Sequence, residues 1–284
     1  MTTFLNLFFI ITANMLKNNN SNFKSLNMRF ENYVCESFIP QFSPDELKKI
    51  IILLENHTVS SDNDKAFGRT SIFEVETGNQ NIIIKKYSRG GIAAKFLNQK
   101  YLSESRFKNE FLLLKFLEEN NIETVKPAFI IYKKIFLFFR LGWLATYKLQ
   151  NYINFYEILI NSKFSAERIL QLFDKIILKI SELNKIGVYH PDVQIKNIMI
   201  TADLSNAVII DFDKSRIVKP NSLFYFHAMF YRFLRSTAKL NKKTEFLKKE
   251  DLLKIENTFF KISNLENQTF FYRIVRLFFF RNII

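Results

Sequence analysis

Apolar and polar positions along the chain follow two periods, and the points where the period changes mark the elements. Ser43-Pro-Asp-Glu46 is a capping box with proline at the first helical position, which predicts a helix through about Leu54, and Asp62 to Asp64 close that segment. From Phe67 to Tyr87 the pattern turns to strands: Ser71 to Glu76, a Gly78-Asn79 turn, then Asn81 to Tyr87. The helical period returns from about Ser103 to Glu119, where Phe107, Phe111, Leu114 and Leu117 recur. Val125-Lys-Pro127 starts further strands, Ile130 to Arg140 and Leu144 to Leu149, and a hinge between two lobes is expected there. A helix headed by Ser165 reaches Lys185, with Gly187 as its C-cap, and Ile198 to Ile200 with Val208 to Ile210 then predict a short hairpin.

Composition narrows the class. At 284 residues the chain can bury a full core, and 48% hydrophobic content with only six Gly and five Pro argues against extended disorder. Cys35 is the single cysteine, so no internal disulfide forms, which suits a reducing compartment. The formal charge of +14 and the 33 Phe fit a nucleic-acid partner or an anionic membrane surface. Lys and Arg are scattered along the chain and no nucleic-acid fingerprint appears, so no nucleic acid is expected and the membrane is favoured. Genomic composition bias is the alternative account of the same abundance of Phe and Lys. The apolar run Phe4 to Met15 is interrupted by Asn6, Thr12 and Asn14 and has no basic residue before it, so neither a membrane span nor a secretory signal is supported.

The chemistry concentrates in Gly187 to Ile200 and Val208 to Asp213. His190, Asp192 and Asn197 stand at H-x-D-x-x-x-x-N spacing, and Asp211 opens an Asp-Phe-x triplet after an apolar run. A carboxylate to meet an acceptor hydroxyl, plus an amide oxygen and a second carboxylate as hard donors for Mg2+, make up a phosphoryl-transfer set: Asp192, Asn197 and Asp211. His190 is expected to be structural, bridging its loop to the Asp211 region; with only His57 and His227 besides, no zinc spacing exists. Upstream, Lys85 ends the Ile82 to Ile84 run where a phosphate-binding lysine would fall. Lys86 is its competitor, and strand alternation lets only one of the two face a ligand, with Lys85 preferred. Glu110, mid-helix, is the candidate ion-pair partner of Lys85, against the alternative of a solvated surface glutamate. Gly68 is the only glycine in Phe67-Gly-Arg-Thr-Ser71, so backbone amides helped by Arg69 would cradle the phosphates. These elements describe an α+β, bilobal protein-kinase-like fold. Residues 1–27 form an extension, 28–145 a small N-lobe with an antiparallel sheet and one helix, and 146–284 a mostly helical C-lobe.

Together with Ile83-Ile-Lys-Lys-Tyr-Ser-Arg-Gly-Gly91, Arg106 to Leu114 and Asp213 in place of the usual glycine, these stretches resemble the lipopolysaccharide kinases over about Phe67 to Leu240. The resemblance implies transfer of the γ-phosphoryl group of ATP to the 4-hydroxyl of 3-deoxy-D-manno-octulosonic acid (Kdo) on a lipid A precursor. It implies work at the cytoplasmic face of a bacterial inner membrane, with no stable protein partner. By position, Asp192 is then the base, Asn197 and Asp211 hold Mg2+, and Lys85 with Glu110 orients the donor. Core heptose, a protein tyrosine or a small molecule are the alternative acceptors. Arg89, Lys95, Arg232 and Arg235 are candidates for meeting an anionic acceptor, with a solvated basic helix face as the alternative. Residues 269–284 combine Phe270, Phe271, Tyr272 and Phe278 to Phe280 with Arg273, Arg276 and Arg281, the composition of an interfacial membrane helix or of a stripe packed on the C-lobe.

Overall fold

The computed structural model describes residues 26–30, 33–37, 42–60, 72–77, 80–87, 105–136, 139–161 and 164–263. The chain divides into two compact units at 115/116, 124/125 and 148/149, with 116–124 grouping with the second. Gly68, Arg69, Arg89 and Lys95, and the terminal stretches 1–25 and 264–284, lie outside the described residues.

In chain order, the first unit carries β1 (Leu26–Phe30), β2 (Tyr33–Ser37), α1 (Pro44–Ser60), β3 (Ile72–Thr77), β4 (Gln80–Lys86), the body of α2 (Ser105–Glu119), β5 (Pro127–Phe136) and β6 (Phe139–Tyr147). The sheet runs β1-β2-β5-β6-β4-β3, and every pairing is antiparallel. The capping box forms as its sequence dictates: Ser43 Oγ accepts from the Glu46 amide at 3.3 Å while the Ser43 amide donates to the Glu46 carboxylate at 2.8 Å. Helix α1 then runs on to Ser60, past the expected end near Leu54. It buries Leu47, Ile50, Ile51 and Leu54 with Ile82, Ile84, Phe129, Ile131 and Trp143 in one apolar cluster.

The β3–β4 hairpin pairs Ile72 with Lys85 through to Thr77 with Gln80. Its alternation is strict: Ile82, Ile84 and Lys86 are buried, and Ile83 and Lys85 stand on the other face. Helix α2 packs close to the sheet at Gly142, where an added Cβ would lie 2.3 Å from the Phe107 ring. Phe107 is itself fully buried, so this glycine sets how near α2, and with it Glu110, can sit to β6. Strands β1 and β2 were not foreseen; β2 joins the sheet beside β5, and β1 pairs with β2 at its edge.

The second unit carries β7 (Tyr152–Asn154), α3 (Phe155–Asn161), α4 (Ala166–Lys185), β8 (Val188–Tyr189), β9 (Ile198–Thr201), β10 (Ala207–Ile209), β11 (Arg216–Ile217), α5 (Leu223–Thr244) and α6 (Lys249–Ser263). Ser165 caps α4 by accepting from the Arg168 amide at 3.3 Å, and the helix buries Ile169, Leu172, Phe173, Ile176, Ile177 and Ile180 at helical spacing. It stops at Gly187, whose φ of +75° favours glycine, and a Cβ there would lie 2.4 Å from the Val218 carbonyl oxygen. The Val218 amide donates to the Gly187 carbonyl at 2.7 Å, so the close approach fastens β11 beside β8 and fixes where the chain enters the loop at His190. The expected hairpin is β9–β10, joined by β7 as an unforeseen third strand. Thr124 donates to the Ile209 carbonyl at 2.6 Å, which ties the segment after α2 to β10.

Helix α6, absent from the sequence reading, closes the core. Phe259 stacks almost parallel on Phe230 of α5 at 3.8 Å and meets His227 edge-on at 5.1 Å. His227 is fully buried, and desolvation pushes its pKa down from the ordinary 6.5 to about 4. Between those values the unfolded chain binds a proton that the folded one refuses, so stability is complete above pH 6.5 and declines as pH falls toward 4. Denaturant titrations should show a loss of ~3 kcal/mol across that interval. His227→Leu should remove most of that pH dependence, and an unchanged slope in the variant would contradict the assignment.

Candidate active site

Two sets of polar side chains stand out, one in each unit. In the first, Lys85 Nζ donates to both carboxylate oxygens of Glu110 at 2.9 Å. Tyr87 donates its hydroxyl to the same carboxylate, and Lys85 also lies 5.1 Å from the centre of the Tyr87 ring. Glu110 is only 3% exposed against 19% for Lys85. A charge so buried must be paired, since an isolated carboxylate pays a desolvation cost that packing does not return. The surface-glutamate alternative is thereby overturned, and strand alternation settles the lysine: Lys86 turns into the core side of the sheet, Lys85 toward α2. Tyr87 was not singled out in the sequence, although it lies one alternation step beyond Lys85.

The second set lies on the loop from β8 to β9. The Asp192 amide donates to His190 Nδ1 at 3.2 Å, so this nitrogen is the unprotonated one. Nε2 then carries the hydrogen and donates to the Ile210 carbonyl at 3.1 Å, while the ring packs on Phe212 at 4.8 Å. His190 therefore does what its position predicted, fastening the loop to the residue before Asp211. Asn197 ends a 3-10 turn, Ile195–Asn197, and its side-chain amide donates to the Asp192 carbonyl at 3.0 Å. That bond uses the nitrogen end and leaves the oxygen end to meet a cation. The Ile210 amide donates to the Asn197 carbonyl at 2.9 Å, which sets Asn197 across from the start of the Asp211 triplet.

Asp211 has φ +66°, in the left-handed region that costs a non-glycine residue about 1–2 kcal/mol and that aspartate tolerates better than most. Among the described residues no three His, Cys, Asp or Glu side chains cluster to cage a metal. Asn197 and Asp211 instead offer hard oxygen donors of the kind that hold Mg2+ when phosphates and water complete the shell.

Asp192 is held from both sides. Arg232 Nη2 lies 2.6 Å from its Oδ1 and 2.9 Å from Gln194 Oε1, while Gln194 Nε2 donates to Asp192 Oδ2 at 3.1 Å. Arg232 was expected to face the acceptor together with Arg235. The structure separates them: Arg235 and Lys239 are exposed, whereas Arg232 turns inward onto the candidate base. Its neighbours on the same face of α5 meet the loop in register. Tyr225 packs against Tyr189 at 4.7 Å with the rings tilted, Met229 sulfur accepts from the His190 amide at 3.3 Å, and Ser236 Oγ accepts from the Ile195 amide at 3.1 Å. Residues 225, 229, 232 and 236 follow the helical repeat, the one signal in the sequence that could have found them.

A six-stranded antiparallel sheet with its paired Lys-Glu helix, and a mainly helical unit carrying an H-x-D-x-x-x-x-N loop, define a protein-kinase-like fold. Among solved structures, WaaP in complex with acyl carrier protein matches at TM-score 0.51 and 11% identity, covering 76% of this chain and 85% of that one. Residues 54–254 match the lipopolysaccharide kinase (Kdo/WaaP) family model, and the chain belongs to that family. The 3-deoxy-D-manno-octulosonic acid kinase of Vibrio vulnificus (strain CMCP6) is 31% identical over 153 residues, 52% of this chain and 62% of the relative. That of Vibrio parahaemolyticus is 28% identical over 155 residues, 53% of this chain and 63% of the relative. The chain thus spans somewhat under two thirds of the length of these relatives.

The pairing of Lys85 with Glu110 is open to a double-mutant cycle. Lys85→Ala should destabilise the protein by ~2–3 kcal/mol, less than for a fully buried pair because Lys85 is partly exposed. Adding Glu110→Gln should restore a large part of it, and a double variant less stable than the single would contradict the pairing.

Proposed function

We propose that the chain transfers the γ-phosphoryl group of ATP to a sugar hydroxyl, the 4-hydroxyl of Kdo on a lipid A precursor. The observation that carries this reading is the fixed Asp192 loop, with Asn197 and Asp211 beside it, in a chain of the lipopolysaccharide kinase family whose relatives include 3-deoxy-D-manno-octulosonic acid kinases. Asp192 takes the proton of the acceptor hydroxyl as its oxygen bonds to phosphorus and the bond to the leaving ADP breaks. Asn197 Oδ1 and the Asp211 carboxylate would hold Mg2+, which would supply positive charge to offset that of the phosphates. Lys85, held by Glu110, orients the donor phosphates, and the Gly68-Arg69 segment is assigned to covering them.

The net charge of +14 suits an acceptor bearing a carboxylate and phosphates at an anionic surface. No helix among the described residues is long and apolar enough to cross a membrane. Peripheral attachment at the cytoplasmic face, through the aromatic and basic residues of 269–284, is the placement proposed. The WaaP neighbour is bound to acyl carrier protein; the reading for this chain requires only the acceptor lipid.

Incubation with labelled ATP, Mg2+ and three acceptors tests the reading: a Kdo-bearing lipid A precursor, a heptosylated acceptor and a protein. Label is expected on the Kdo acceptor, and Asp192→Ala should lower turnover by about 10²–10⁴-fold. Label appearing only on the other two would overturn the assignment.

A further inference from the structure

The Asp192 cluster holds more charge than proton transfer requires. Orienting a carboxylate takes one donor, and Gln194 supplies it by bonding Oδ2 at 3.1 Å. Arg232 adds a full positive charge 2.6 Å from the other oxygen, delivered from a separate element, α5. That helix is seated firmly here, because Met229 and Ser236 take loop amides on either side of Arg232. The guanidinium is therefore a fixed feature of the site.

Its geometry leaves part of it for a ligand. Both bonds to Asp192 and Gln194 come from the single nitrogen Nη2. A guanidinium has five N–H donors in a rigid plane, so the Nη1 and Nε donors remain, and the side chain is 23% exposed. Any hydroxyl within hydrogen-bond reach of Asp192 belongs to a molecule whose neighbouring atoms come within reach of Arg232. The charge state of the cluster selects among anions. Asp192 already balances Arg232, so a dianionic phosphate would meet repulsion from Asp192, whereas a monoanionic carboxylate meets less and can take a single charge-assisted hydrogen bond from Nη1 or Nε.

We propose that Arg232 recognises a carboxylate on the acceptor, which makes it the residue that selects sugar acids over neutral sugars. The inference rests on the reading of this site as a phosphotransferase for a sugar hydroxyl. It adds to that reading's argument from net charge a particular residue that would meet the acid.

The test compares two acceptors, the Kdo-bearing lipid A precursor and the same molecule with its carboxyl converted to a carboxamide. Wild-type protein should favour the acid by about tenfold or more in kcat/KM, carried mainly by KM, as expected for a charge-assisted contact. In Arg232→Gln the KM for the acid should rise until the two acceptors are nearly equal, with the KM for the carboxamide little changed. Three outcomes overturn the proposal: wild-type protein using both acceptors equally, the variant keeping the preference while kcat falls for both, or the KM for ATP rising in place of that for the acid. The second outcome would make Arg232 a positioning residue for Asp192. Should Arg232→Gln fail to fold, the wild-type comparison still decides, and Arg232→Lys, which keeps the charge but lacks the separate Nη1 and Nε donors, should show a reduced preference. Wild-type protein that phosphorylates neither acceptor sinks the underlying reading as well, and this is seen before any variant is made.

Discussion

Helix α5 does for the catalytic loop what a neighbouring strand does in a sheet. Between β8 and the 3-10 turn at Ile195–Asn197 the loop amides have no regular partner, and an unpaired buried amide costs about as much as a lost hydrogen bond. Met229 takes the His190 amide, His190 itself takes the Asp192 amide, and Ser236 takes the Ile195 amide. Because these α5 positions follow one helical face, a single rigid element sets the loop's height and register. Gly187 sets its entry point at the other end. Asp192, Asn197 and the backbone leading to Asp211 then follow with little freedom left.

The first unit solves a comparable problem with charge. Glu110 is buried at the sheet face of α2, and its neutralisation by Lys85 and Tyr87 makes the helix position and the lysine position interdependent. Gly142 makes this possible, since only a glycine lets Phe107 and the rest of α2 come close enough. Helix packing, a missing side chain and one ion pair thus act together to hold a lysine where donor phosphates are assigned. The same logic appears around Asp192, where Arg232 and Gln194 hold a carboxylate from two sides.

Much of this was legible in local pattern. The capping box, the β3–β4 hairpin, the Ser165 cap and the Gly187 stop are short-range features whose residues lie within a few positions of one another, and each formed as read. Alternation put Lys85 and Lys86 on opposite faces, and burial of Lys86 then showed which one turns toward α2. What escaped depends on distant partners. The Arg232 to Asp192 contact joins residues 40 apart and nothing local announces it, whereas the Lys85 to Glu110 pair, 25 apart, was expected and only its burial was not. Arg232 looked like part of a basic face with Arg235 because spacing on α5 shows which residues are neighbours, not which side meets the loop. Strand β2 and helix α6 were missed for a related reason: Tyr33, Val34, Cys35, Ile255 and Phe259 are buried by other elements, and no strong turn or cap announces them.

We propose that the Lys85–Glu110 set and the Asn197–Asp211 set each meet the donor nucleotide. Hydrogen–deuterium exchange with Mg2+ and a non-hydrolysable ATP analogue tests that assignment most directly. Slowed exchange is predicted in both 80–86 with 105–119 and 190–213. Protection confined to one set, or absent from both while the protein remains folded, would contradict it.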